Sequence, residues 1–160
     1  GRSSFDVARI VYGLVSTGVV RVDEHPSRLT ERELDEAIAD AVQHLENGDA
    51  EAAARAAAEL QAAFPDRAEL ALLEGRALAV QGRMRAATEA FARAVGLDPL
   101  APEAHYRLGF TAARIGDFER AYRAFESYLR LAPEDSAQSQ VAEALSAVRT
   151  LSHILANEGE

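Results

Sequence analysis

Apolar positions recur at helical spacing along most of this chain. Near its end Val141, Leu145, Val148, Leu151 and Leu155 fall three, four or a few residues apart, which puts them on one face of a helix. Asp135 and Gln138 are set as a capping box, so the pattern predicts a helix over 136–157. Thr30-x-x-Glu33 is a second such box and opens another helix. Between the two boxes, helical stretches are broken at Gly48, Gly82 and Gly116 and again at Pro65, Pro99 and Pro133. Glycine can take a positive φ and end a helix, whereas proline cannot continue one. Asp49 and Asp117 follow two of the glycines and are placed to accept N–H bonds at the start of the next helix.

The first 29 residues read differently. Ser3-x-x-Asp6 predicts a cap on a helix from residue 4 to about 17, with Gly18 as its stop. Val19–Val22 then reads as a short strand, and Asp23–Leu29, containing Pro26, as a linker. Phe5, Ile10, Val11, Tyr12, Leu14 and Val15 point around more than one face of the predicted helix. A helix apolar on several sides requires burial, and each large side chain so buried contributes roughly 1.5–3 kcal/mol. Three arrangements satisfy this: docking on the neighbouring helices as a cap, pairing with a second copy, or occupation of the chain's own groove.

The breaks are periodic. Gly48, Gly82 and Gly116 are 34 residues apart, as are Ala53, Ala87 and Ala121, and Pro65, Pro99 and Pro133. Gly75 and Gly109 keep the same spacing, and so do Phe91 and Phe125. The small residues allow paired helices to approach closely, and the phenylalanines fill the space between hairpins. A period of 34 with His105-x-x-Leu108-Gly109-x-x-Ala112, Ala121-x-x-x-Phe125 and Pro133 resembles the tetratricopeptide repeat (TPR). The second repeat carries Ala71, Gly75, Leu78, Ala87, Phe91 and Pro99 at the same places. The first, with Ala37, Ala41, His44, Ala53, Ala57 and Pro65, is degenerate. The resemblance implies an all-α solenoid of helical hairpins, right-handed, because one hairpin cannot cover its own apolar face and stacked neighbours do. Its expected parts are a linker at 23–29, hairpins at 30–67, 68–101 and 102–135, and a capping helix at 136–157.

Residues 1–22 are similar to the tail of bacterial PATAN-type winged-helix-like domains, on the words Gly1-Arg2-Ser3-Ser4-Phe5-Asp6-Val7-Ala8 and Val11-Tyr12-Gly13-Leu14-Val15-Ser16-Thr17-Gly18-Val19-Val20. The rest of such a module, including any DNA-reading helix, is absent from the chain. With Gly1 rather than Met at its start, the chain reads as a piece of a longer protein or the product of tag removal.

In TPR arrays the first helix of each hairpin lines a groove. Carried over position by position, the resemblance implies Asp35, Ile38, Ala39, Val42, Leu45 and Glu46 in the first repeat. It implies Glu69, Leu72, Leu73, Arg76, Ala79 and Val80 in the second, and Glu103, Tyr106, Arg107, Phe110, Ala113 and Arg114 in the third. Some of these, Leu73 and Val80 among them, are equally readable as core. Chaperone-binding TPRs hold a C-terminal carboxylate with a Lys/Asn/Asn/Lys/Arg clamp. Here those places hold Ile38, Val42, Leu73, Glu103 and Arg107, so the clamp is not expected. The expected binding set is Ile38, Val42, Leu72, Arg76, Tyr106, Arg107, Phe110 and Arg114, suited to a partner with apolar anchors and acidic flanks. Phe5, Ile10, Val11, Leu14 and Val15 form the alternative surface, for homodimerisation or docking.

Composition narrows the function. The 160 residues carry a net charge of −9 and no cysteine. An acidic chain is poorly suited to phosphate backbones, so no nucleic-acid partner is expected, and a regulatory domain of a DNA-binding protein is the weaker reading. Without cysteine there is no thiol chemistry, no Cys-ligated zinc and no disulfide, which fits a cytoplasmic protein. All 17 basic residues are arginine, a mark of GC-rich bacterial coding. No run of 18 apolar residues predicts a membrane span; Val7–Val22 is interrupted by Arg9, Gly13, Ser16, Thr17, Gly18 and Arg21, and it lacks signal-peptide features. His25, His44, His105 and His153 have no metal-ligand spacing, and there is no Gly-rich phosphate loop. The expectation is a protein-binding adaptor without cofactor, metal or catalysis. The alternative is a homodimerisation module of a larger signalling or regulatory protein.

Overall fold

The computed structural model describes residues 30–157, which form seven helices. They are α1 (Glu31–Glu46), α2 (Ala50–Ala63), α3 (Ala68–Val80), α4 (Met84–Leu97), α5 (Pro102–Arg114), α6 (Phe118–Leu131) and α7 (Gln138–Asn157). No strand occurs among the described residues. The expectations for residues 1–29, including the winged-helix-like resemblance and the apolar set Phe5, Ile10, Val11, Leu14 and Val15, lie outside them.

The turn inside each hairpin is made by a glycine. Gly48, Gly82 and Gly116 have φ of 84°, 75° and 81°, the left-handed conformation that residues with a Cβ rarely adopt. Asp49 and Asp117 then cap the second helix: their carboxylates accept from Ala52 N–H at 3.0 Å and Arg120 N–H at 3.2 Å. At the corresponding place before α4 stands Arg83, which makes no side-chain cap. The box at the start of α1 forms as the sequence predicts. Glu33 N–H donates to Thr30 Oγ1 at 3.3 Å, and Thr30 N–H donates to Glu33 Oε2 at 2.7 Å. That Thr30 N–H, and after it the Thr30 hydroxyl donating to the same oxygen at 2.8 Å, hold the Glu33 carboxyl below its ordinary pKa.

Helices pack chiefly on their sequence neighbours, and α1 also touches α3. Gly75 and Gly109 are points of close approach within the second and third hairpins. A Cβ at Gly75 would lie 2.5 Å from Phe91 Cε1, and one at Gly109 2.4 Å from Phe125 Cδ1. Both rings are buried, so the glycines supply the room that the rings fill. α3 buries residues all around its axis (Leu70, Ala71, Leu73, Gly75, Ala77 and Leu78) because it is packed between α2 and α4. α6 is two-faced, with Ala121, Ala124, Phe125 and Tyr128 inside and Glu119, Arg123, Glu126 and Arg130 outside.

Val141 and Val148 of α7 close the stack against Ala112, Ala121, Phe125 and Tyr128. α7 begins two residues later than the sequence predicts. The Asp135 carboxylate turns onto Ala137 N–H at 2.8 Å, while Gln138 N–H donates to the Asp135 carbonyl at 3.1 Å. Residues 136–137 therefore make a turn and not the first helical residues. His44, aligned with the packing positions Leu78 and Ala112, is exposed in the last turn of α1. His105 is buried, and its Nε2–H donates to the Pro99 carbonyl at 2.9 Å.

Candidate functional site

The first helices of the hairpins, α1, α3 and α5, run as neighbours with α7. α1 meets α3 directly, and the Tyr106 hydroxyl of α5 donates to Gln140 Oε1 of α7 at 3.4 Å. Gln140 stands 34 residues after Tyr106, so these helices are aligned in register and equivalent repeat positions form rows across them. Ile38, Leu72 and Tyr106 make one row, which Gln140 extends; Val42, Arg76 and Phe110 make another. All of these but Gln140, which is exposed, are half-buried.

The half-burial has two sides. Each apolar member rests on the core while leaving surface free. Ile38 packs on the cluster of Leu34, Ala37, Leu60 and Leu70, and Val42 on Ala41, Ala57 and Leu73. Leu72 spans two clusters and so links the second hairpin to the third. The third hairpin presents an aromatic group: the Tyr106 ring lies 4.8 Å from Phe110 and 5.5 Å from Tyr128, and Phe110 meets Phe125 edge-on at 4.9 Å. Such geometry fixes the rings and strengthens their packing beyond area alone. Tyr128 beneath them is 3% exposed. Burial first, and then its bond to Asp135, pushes its hydroxyl up to about 12. The Ala137 N–H first, and then that bond from Tyr128, hold the Asp135 carboxyl below its ordinary range.

Three arginines were expected on this face, and they are not equivalent. Arg107 Nε donates to Glu103 Oε1 at 2.8 Å, one turn earlier on α5. Arg76 and Arg114 make no ion pair among the described residues; Arg76 is half-buried and Arg114 exposed. The two ambiguous positions separate as well, since Leu73 is core at 3% exposure and Val80 is 66% exposed. Gln140 was missed by the sequence reading, although the period that aligned the three repeats also reaches it.

A second concavity of about 560 Å³ lies on α2, α3 and α4. Its presence follows from the alanines of α2. Ala54 and Ala58 are too short to fill the space beside Leu78 and Ala86. Its rim holds Glu51, Glu74 and Glu89 together with Arg55, Arg83 and Arg93. Glu74 bonds Arg93, and Glu89 accepts from Arg120 at 2.6 Å, so opposite charges largely satisfy one another there. Among the described residues no three His, Cys, Asp or Glu side chains are grouped to hold a metal ion. No described helix is long and apolar enough to cross a membrane.

No curated protein matches the chain by sequence. Solved structures match it closely in shape. The translocator chaperone SycD of Yersinia enterocolitica type III secretion aligns with a TM-score of 0.71 at 14% identity, over 78% of this chain and 89% of SycD. PcrH, known from Pseudomonas aeruginosa, aligns in its complex with the chaperone binding region of PopD with a TM-score of 0.71 at 19% identity, over 80% of this chain and 99% of that one. The second TPR domain of human RPAP3, in complex with the HSP70 peptide SGPTIEEVD, gives 0.66 at 22% identity, over 74% and 97%. At these identities the likeness is one of fold. The family profile of the tetratricopeptide repeat matches residues 39–102 and 72–136. Those two spans cover more than half of the chain, and it belongs to the tetratricopeptide-repeat family.

Proposed function

We propose that this protein is a non-catalytic adaptor that binds a segment of another polypeptide in a groove formed by α1, α3 and α5. Apolar anchors of the partner rest on Ile38, Val42, Leu72, Tyr106 and Phe110, and acidic residues of the partner reach Arg76 and Arg114. The observation that carries this reading is the pair of in-register rows, half-buried and apolar, beside two guanidinium groups without carboxylate partners. Rigid aromatic and arginine side chains are the types most often found as binding hot spots. Apolar anchor sites with charge beside them suit an amphipathic helix or an extended segment. Among the structures of similar fold, PcrH is bound to a region of PopD and the RPAP3 domain to an HSP70 peptide.

The HSP70-peptide mode does not transfer. Ile38, Val42, Leu73 and Glu103 occupy four of the five clamp positions, and Arg107, at the fifth, is already engaged by Glu103. We assign the adaptor to the cytoplasm as part of the same proposal. Homodimerisation through residues 1–22 remains the alternative and draws no support from the described residues.

The test is affinity capture by the wild-type chain beside an Arg76→Glu/Arg114→Glu variant, with circular dichroism to confirm the fold. Both arginines lie outside the described ion pairs, so the fold is expected to be intact. A partner retained by the wild type and lost by the variant supports the groove. Equal retention by both assigns binding to another surface.

A further inference from the structure

We propose that the groove is electrically polar along its length, and that it takes a segment with a basic end over the first hairpin and an acidic end over the third. This rests on the groove reading above and adds the charge pattern and orientation of the ligand. Seven charged side chains stand at groove positions: Asp35, Glu46, Glu69, Arg76, Glu103, Arg107 and Arg114. Three are neutralised inside the chain. Arg67 bonds Glu69 at 3.2 Å, and Arg107 bonds Glu103 at 2.8 Å.

The other four have no ion-pair partner among the described residues, and they are sorted by hairpin. Asp35 and Glu46 are both on α1, and Glu46 meets only the neutral Gln43 amide, at 3.4 Å. Arg76 is on α3 and Arg114 on α5. One row shows the order directly. Glu46, Val80 and Arg114 are equivalent positions 34 residues apart, and they read carboxylate, exposed valine, guanidinium. Asp35, Glu46 and Arg114 are exposed, and Val80 is 66% exposed.

The complement of that row is a cation, an apolar side chain and a carboxylate, in that order. Neighbouring helix axes are about 8–10 Å apart, so Glu46 and Arg114 are separated by roughly 20 Å along the stack. A helical ligand rising about 1.5 Å per residue spans that distance in about 13 residues. An extended one, at about 3.3 Å per residue, spans it in about six. Charges unpaired in the free protein contribute to the selection of a partner because a like charge placed against them is left uncompensated.

The experiment uses three synthetic peptides with one leucine-rich core and different flanks: lysine at one end and glutamate at the other, glutamate at both, and lysine at both. Binding is followed by fluorescence anisotropy at low salt, where screening is weak. The mixed peptide is expected to bind about tenfold more tightly than either of the others. A paramagnetic tag at its lysine end is expected to broaden amide signals of α1 and not of α5. In the Asp35→Lys/Glu46→Lys variant the preference is expected to move to the doubly glutamate peptide. Equal affinities for the three peptides, all weakened by Arg76→Glu/Arg114→Glu, overturn the lengthwise polarity and leave the groove standing. Binding indifferent to both variants, or no binding by any peptide, overturns the groove reading and the polarity with it.

Discussion

Single residues fix how closely this chain packs, and its glycines show two separate reasons for lacking a side chain. Gly109 is small because Phe125 occupies the space: an added Cβ would come within 2.4 Å of a ring that is 0% exposed. Gly116 has nothing within 4 Å but sits at φ 81°. Gly109→Ala is therefore expected to cost about 1–3 kcal/mol by overpacking, or roughly 2–4 °C of Tm per kcal/mol for a chain of this size. A compensating Phe125→Leu should recover part of that loss. Gly116→Ala costs roughly 1–2 kcal/mol through its backbone, and no change in a neighbour recovers it. Calorimetry on the single and double variants separates the two causes. Tyr128 adds a pH signature. Its folded-state pKa is raised to about 12, so its contribution to stability is complete below the unfolded tyrosine value of about 10. That contribution is lost as pH rises through the folded value. Tyr128→Phe is expected to flatten the alkaline decline between those limits in a series of thermal melts. Asp135 has the opposite sign: its depressed pKa gives a contribution present above the ordinary carboxylate range and lost as pH falls through the folded value.

At the scale of the element, helix starts are uneven in quality, and this is open to engineering. α2 and α6 begin with aspartate caps, whereas α4 begins with Arg83, which has no side-chain cap and places a cation at the positive end of the helix dipole. Arg83→Asp is expected to stabilise the fold by about 0.5–1.5 kcal/mol, read as a higher Tm. Helix ends were the most legible feature of the sequence, because Gly48, Gly82, Gly116 and the three prolines mark them with backbone chemistry. The start of α7 was less so, since Asp135 has two local uses and the structure takes the turn. The site was legible only as rows. The 34-residue period locates Ile38, Leu72 and Tyr106, but whether an arginine is spent inside the fold depends on rotamer and distance. Arg107, with Glu103 four residues before it, carried the one usable sign, an i,i+4 pair. Leu73 and Val80 were likewise alike as letters and were separated by packing alone.

At the scale of the whole molecule, the described residues form a stack in which each helix leans mainly on the next in sequence. Its stability is therefore close to a sum of hairpin terms and neighbour terms. The hairpins are not equal. Phe91 and Phe125 anchor the second and third, while the second helix of the first buries mostly Ala50, Ala53 and Ala57. Alanine removes less apolar surface from water, so amide hydrogen exchange is expected to be faster in α1 and α2 than in α4, α5 and α6. Equal protection throughout would show the stack to be one cooperative unit. Phe125→Ala, which empties the core of the third hairpin, is expected to lower stability by about 3–5 kcal/mol in chemical denaturation.

Contacts made mainly between sequence neighbours also decide how such a chain answers a mechanical load. No strand or long-range clamp ties the first hairpin to α7 among the described residues, so tension applied at the two ends meets the interfaces in series. The chain then behaves as a row of fuses. The alanine-built hairpin yields first, and each 34-residue unit that lets go lengthens the tether by roughly 110–120 Å of contour.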